Sequence, residues 1–315
     1  MRWVSNHTPH EWDALLASIG GHPLQSALWG NAKHEIYGIT DQRLALYNED
    51  KLLALMRVEN RGLRSFLKVG WIPQGPALSL DVDWKNIESD FLNQLKKSNN
   101  SLCISSPWES IHINEASELR KTIWIDLQQG KEKLWAALDK QWRYGVRSAQ
   151  RSGVQTIIAT ENQDISQFYY LCMSIGSSKK FQFQYKQSFL HYLLEHSDKN
   201  GAEAKLFLVK IDNIIAAGVF IVRIGKNCHY MFGAMNRKYS KYRLSEYLQW
   251  AVIEWACEKN CARYDLEGID EIKNPGVAAF KKKMGGDIIF LRNAEIFTFN
   301  LRGKILSKLI SRKIV

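Results

Sequence analysis

Residues 261 to 287, CARYDLEGIDEIKNPGVAAFKKKMGGD, set acids, a turn and bases in that order. Asp265, Glu267 and Asp270 close a strand-like run from Ala262 to Leu266, Pro275-Gly276 interrupts it, and a helix start follows with Phe280, Lys281, Lys282 and Lys283. Carboxylates at a strand end can take a proton from an amine, and a lysine beyond the turn can stand beside a developing oxyanion. An amine of ordinary pKa, about 10, is nearly all ammonium at neutral pH, so chemistry at an amine needs such a carboxylate or a water. The same acids also suit turn capping and pairing with neighbouring lysines. Phe280 fits either a core position or a stack on a base, a contact worth roughly 1–3 kcal/mol.

A second constellation lies upstream. Arg143, Arg147 and Arg151 recur every fourth position, which puts them on one side of a helix. With Trp142 and Tyr144 interleaved, the stripe suits an RNA backbone or a solvated basic face. The chain carries a formal charge of +11 over 315 residues, a surplus that favours a polyanionic partner. Cys257 and Cys261 lie four apart on an expected helix, but no other Cys or His pair completes a metal set. The five cysteines are odd in number and scattered, as in a protein of reduced thiols. Neither GxSxG, HExxH nor a Walker loop occurs.

The elements that must position these residues form two similar sets. LALYNEDKLLALMRV from Leu44 and LFLVKIDNIIAAGVF from Leu206 both read as strand, polar turn, strand. They align without a gap, pairing Leu44 with Leu206, Asp50 with Asp212 and Ala54 with Ala216. A further strand follows each hairpin, and helical segments precede each. A duplicated α/β unit with mixed α+β sheets is the expected fold. The boundary is expected near SELRKTIWIDLQQG, giving domains of 1–120 and 121–292. The absence of a basic start followed by an apolar run argues against a signal peptide and for a cytoplasmic protein. The tail FNLRGKILSKLISRKIV places Leu301, Ile305, Leu306, Leu309 and Ile310 at helical spacing among lysines and arginines. Such a helix can pack on the first domain or lie on an anionic membrane.

The order of elements resembles the N-acetyltransferase (GNAT) fold, present twice. HPLQSALWGNAK, through Gln25, Ser26, Trp29 and Lys33, resembles the N-terminal motif of the FemABX family, non-ribosomal peptidyl transferases that use aminoacyl-tRNA. GWIPQGPALS is similar through Trp71, Gly75 and Pro76, KQWRYGVRSAQRSGVQT through its basic helix, and the opening stretch through Tyr264, Asp265, Leu266, Gly268, Phe280 and Lys281. The resemblance implies two tandem acyltransferase domains and an aminoacyltransferase acting on a peptidoglycan precursor or a related peptide acceptor. It implies Lys281, Asp265 and Glu267 as catalytic, and Lys33, Trp29, Gln25, Trp71 and Phe280 as substrate-binding. Arg143, Arg147, Arg151 and Lys282 would bind RNA, no metal is implied, and the tail 293–315 would return to the first domain. Three places depart from the family pattern: Gln74 before Gly-Pro, Ser106 before Pro107, and Lys179, Lys180 and Lys186 where an arginine is usual. Coenzyme A is disfavoured as donor, because the loop NRKYSKYR lacks the glycines that let backbone N–H groups approach a pyrophosphate. The alternatives are an acyl-CoA-dependent N-acyltransferase on a sugar or lipid precursor and a non-catalytic RNA-binding module.

Overall fold

The computed structural model describes residues 1–64, 67–98, 100–109, 120–179 and 183–314. Lys180 and the side chain of Lys179 lie outside the described residues, as do residues 117–119 of the expected boundary. In chain order the elements are β1 (Arg2–Val4), α1 (Pro9–Ser18), α2 (Ala27–Tyr37), β2 (Thr40–Asn48), β3 (Lys51–Arg64), β4 (Leu67–Ile72), β5 (Ala77–Leu78), α3 (Trp84–Lys97) and β6 (Leu102–Ser105). There follow β7 (Arg120–Asp126), α4 (Lys131–Ala137), α5 (Lys140–Arg151), β8 (Thr156–Ile158), α6 (Asn162–Lys179), α7 (Gln187–Glu195), β9 (Ala202–Ile211), β10 (Ile214–Ile224) and β11 (Asn227–Met235). The chain ends with α8 (Leu244–Glu258), β12 (Arg263–Asp265), α9 (Pro275–Lys282), β13 (Asp287–Leu291), β14 (Glu295–Thr298) and α10 (Leu301–Ile314).

These elements form two compact units, Met1–Leu119 with Asn200–Ala202 and Leu291–Val315, and Arg120–Lys199 with Glu203–Phe290. Each unit holds a mixed seven-stranded sheet, ordered β1-β2-β3-β4-β6-β14 with β5 against β3 in the first, and β13-β7-β12-β11-β10-β9-β8 in the second. In both, an antiparallel meander leads into one parallel pair, β4 with β6 and β11 with β12. Parallel neighbours cannot be joined by a tight turn, so a helix crosses over each time, α3 in one unit and α8 in the other. The expected duplication is thus present as two α/β units, each with its own mixed sheet. The two hairpins turn as their polar residues require: Asp212 and Asn213 both adopt positive φ, at 52° and 60°, and Glu49 does so at 53°.

Helix α3 shows why its segment is helical and which way it faces. Asp83 caps it by accepting from the N–H of Lys85, and Trp84, Ile87, Phe91 and Leu95 are buried on one face. In the second unit α5 is fixed by a close approach. A Cβ on Gly145 would lie 3.3 Å from the side chains of Arg243 and Glu246 at the start of α8, so a larger residue would crowd those two side chains. The helical material of residues 130–153 is divided into α4 and α5. Leu138 adopts an extended backbone, and Asp139 begins α5 by accepting from the N–H of Gln141. Helix α8 ends at Glu258, so Cys261 lies beyond it and does not share a helical face with Cys257; all five cysteines are free thiols.

Candidate functional site

The acidic turn and α9 do come together in the second unit, but their members differ sharply in what their side chains can do. Asp265 ends β12, fully buried. Its Oδ1 accepts from Thr122 Oγ1 at 2.5 Å and from the N–H of Glu267 at 2.8 Å, and its Oδ2 accepts from Trp124 Nε1 at 2.7 Å. A carboxylate so enclosed holds the turn from inside, an arrangement that does not suit the proton transfer expected of Asp265. The turn it holds is unusual, because Glu267 takes a positive φ of 63° without being glycine. Its carboxylate stays partly open and lies 2.8 Å, Oε1 to Nδ1, from His229 on β11.

Lys281 reaches into the same place from α9. It is 6% exposed, and its Nζ donates to the carbonyl of Gly268 at 2.9 Å and lies 5.5 Å from the centre of the Tyr230 ring. Burial pushes its pKa down to about 8, while the carboxylates of Glu267 and Asp265 hold it up. At neutral pH the amine is therefore still mostly protonated, in a cradle of carbonyl, carboxylate and phenol. Burial also lowers the pKa of Arg120, with Glu267 opposing it. His229, Tyr230 and Arg120 were not singled out in the sequence. Each stands on a strand far from residues 261–287, and only sheet pairing brings it there.

Phe280 and Lys282, by contrast, have ordinary partners. The Phe280 ring packs against buried Trp142 at 4.8 Å between centroids, so it belongs to the hydrophobic core and not to an open stacking site. Lys282 pairs with Glu271, which also meets Lys121 at 3.4 Å. These contacts carry a different consequence, since they tie α9 to α5. The N–H of Asp139 donates to the carbonyl of Lys283 at 3.0 Å, and Lys283 Nζ reaches Gln141 Oε1 at 3.3 Å.

The basic stripe on α5 forms a surface cleft of about 340 Å³ lined by Lys140, Arg143, Tyr144, Arg147 and Arg151. No acid lines it. Arg147 and Arg151 are exposed and lie over the rings of Trp135 and Tyr144, at 5.3 and 5.9 Å. Tyr144 is 61% exposed. Arg143 is already engaged, its Nη1 donating to the carbonyls of Ala136 and Leu138 at 2.8 and 2.5 Å. It closes the end of α4 and leaves Arg147, Arg151 and Lys140 as the cations turned to solvent.

The connection from β11 to α8 is a short 3-10 helix, Arg237–Tyr242, where a coenzyme A enzyme of this fold needs open backbone N–H groups. Here the N–H of Lys238 donates to Asn236 Oδ1, that of Tyr239 to the Asn236 carbonyl, and that of Arg243 to the Ser240 carbonyl. The segment holds no glycine, and at the start of α8 Arg243 gives no side-chain cap to the first N–H groups of the helix.

In the first unit Gln25 and Trp29 are buried. The Gln25 amide is spent on the backbone: Nε2 donates to the Pro73 carbonyl at 2.6 Å and Oε1 accepts from the N–H of Arg57 at 2.7 Å. It is a staple between the start of α2 and β3, not a group that meets a substrate. Lys33 and Trp71, in contrast, belong to one charge cluster. Burial lowers the Lys33 pKa, with Glu59 opposing and Arg61 and Arg57 adding to the fall. Arg61 lies 4.0 Å over the Trp71 ring and donates to Glu59 at 2.7 Å. Arg57 donates to Glu59 and Asp41 at 2.8 and 3.0 Å, and Arg43 meets Asp41 at 3.5 Å. Lys33, Arg43, Arg57 and Arg61 thus outnumber Asp41 and Glu59, leaving a site suited to an anion.

Residues 137–282 match the model of an acetyltransferase (GNAT) domain. A lipid II:glycine glycyltransferase of Staphylococcus saprophyticus is 26% identical over 33% of this chain and 29% of that protein. The match therefore spans less than a third of the relative's length. The crystal structure of FemX superposes with a TM-score of 0.79 over 98% of this chain and all of that one, at 17% identity. A tandem GNAT protein from the clavulanic acid biosynthesis pathway superposes with a TM-score of 0.53 over 95% of this chain and 98% of that one, at 10% identity.

Proposed function

We propose that this chain, for which fold, family-model match and sequence relative all support the FemABX family, is an aminoacyltransferase that moves an amino acid from aminoacyl-tRNA to an amine of a peptidoglycan precursor. The observation that carries the reading lies within the second unit: a buried Lys281, its pKa lowered to about 8, sits on a helix tied directly to a basic cleft. The cleft suits the phosphates of a tRNA acceptor end, with Tyr144 as a stacking face. The lack of glycine between β11 and α8 supports a donor other than coenzyme A.

The chemistry follows from the cradle. The acceptor ammonium gives one proton to Glu267, whose negative charge His229 steadies. The neutral amine attacks the carbonyl carbon of the aminoacyl ester, and the carbonyl oxygen becomes an oxyanion beside the Lys281 cation. The ester C–O bond then breaks, the amide C–N bond remains, and the second amine proton leaves with the ribose oxygen. In the first unit, Lys33 and Arg61 suit the phosphate of the precursor, with Trp71 beneath the Arg61 guanidinium.

Binding measurements with tRNA and with coenzyme A test the donor. Uncharged tRNA is expected to bind with a steep salt dependence and acetyl-CoA to leave the melting temperature unchanged. Stabilisation by acetyl-CoA without tRNA binding would replace this reading with an acyl-CoA-dependent one.

A further inference from the structure

The C-terminal helix carries an apolar edge that no part of the catalytic reading uses. Its start is anchored to the first unit's sheet. The N–H of Phe299 donates to the Ser101 carbonyl at 3.0 Å, Asn300 Oδ1 accepts from the N–H of Gly303 at 2.9 Å, and β14 pairs with β6. Gly303 is the contact point, since a Cβ there would lie 1.9 Å from the Ser101 carbonyl oxygen. With that side of α10 fixed inward, the edge formed by Leu301, Ile305 and Leu309, spaced by four, faces outward at 74%, 58% and 60% exposure. Exposed Arg302, Lys304 and Lys308 flank it, and the helix contains no acid.

We propose that α10 is a membrane-docking helix, whose Leu301, Ile305 and Leu309 edge enters the headgroup region of an anionic bilayer while Arg302, Lys304 and Lys308 meet lipid phosphates. The aliphatic edge calls for an apolar phase and the flanking cations call for anions, and a bilayer interface supplies both. An RNA supplies only the second. A second copy of this chain, at +11, would bring a basic helix against a basic surface. Lysine and arginine stems can lie along the apolar edge with their charged ends in the headgroups. No described helix is long and apolar enough to cross a membrane, so the contact is with the surface. The inference rests on α10 alone and is independent of the transfer reaction.

The test is co-sedimentation of the full chain with phosphatidylcholine vesicles, with and without phosphatidylglycerol. The chain is expected to pellet with the mixed vesicles, and to be released as salt rises or when phosphatidylglycerol is omitted. Ile305→Asp with Leu309→Asp is expected to abolish pelleting with the melting temperature and tRNA binding unchanged. Lys304→Gln and Lys308→Gln are expected to weaken it by roughly fivefold each. Three results would overturn the proposal: no binding of the unmodified chain to mixed vesicles, undiminished binding by the double aspartate variant, or a dimer by light scattering that the same variant splits.

Discussion

Lys281 and Asp265 sit in one turn system yet have opposite work, and substitution separates them. Replacing Lys281 by alanine removes the cation beside the oxyanion and is expected to lower kcat by about 10²–10³-fold, with folding intact. The pH profile gives a sharper reading. Lys281 must be protonated to act, and its pKa is about 8, so kcat is expected to fall as pH rises through 8. Lys281→Arg keeps its charge at every accessible pH and is expected to lose that alkaline limb while retaining part of the rate. A limb that persists in the arginine variant would assign it to another group. Asp265→Asn is expected to act on folding: it offers an N–H₂ where three donors converge and costs about 1–3 kcal/mol, read as a melting temperature lower by several degrees. The sequence displayed both residues as candidates for chemistry. It could not separate them, because the donors that enclose Asp265 come from Thr122 and Trp124, on a strand that pairs only in the folded sheet.

Among the elements, α5 was legible from the four-residue recurrence of its arginines, and α8 from the apolar periodicity of the segment that carries Cys257. The split between α4 and α5 was not, because nothing in the apolar pattern interrupts at Leu138; the break is made by Asp139 as a cap. For the same reason Arg143 read as a third phosphate contact, whereas the end of α4 leaves carbonyls that need a donor and takes its guanidinium. The cleft therefore predicts an unequal set of effects. Arg147→Ala and Arg151→Ala are expected each to lower the slope of log affinity for tRNA against log salt by about 1. Arg143→Ala is expected to show its main effect on stability. Tyr144→Ala should weaken binding by roughly 1–3 kcal/mol with the salt slope unchanged, as the loss of a stacking face requires. Equal effects of the three arginines in a titration series would contradict this division.

For the whole molecule, the repeated strand-turn-strand pattern at Leu44 and Leu206 gave the duplicated fold, since two such hairpins leading into β-α-β crossovers have few other sheets to form. What the repeat concealed is that the two copies have diverged in their chemistry. The first keeps a buried ion cluster around Glu59, with Lys33 at its edge, and the second keeps the lysine cradle and the basic cleft. Lys33→Ala is accordingly expected to raise KM for the precursor by tenfold or more while leaving tRNA affinity unchanged. A charged tRNA as donor is tested most directly by following label from tRNA charged with labelled amino acids into peptidoglycan precursors, with and without ribonuclease. Label appearing in amide linkage on a precursor, and absent after ribonuclease or with Lys281→Ala, is the predicted result. Transfer that survives ribonuclease, or that proceeds only from an acyl-coenzyme A, would contradict it.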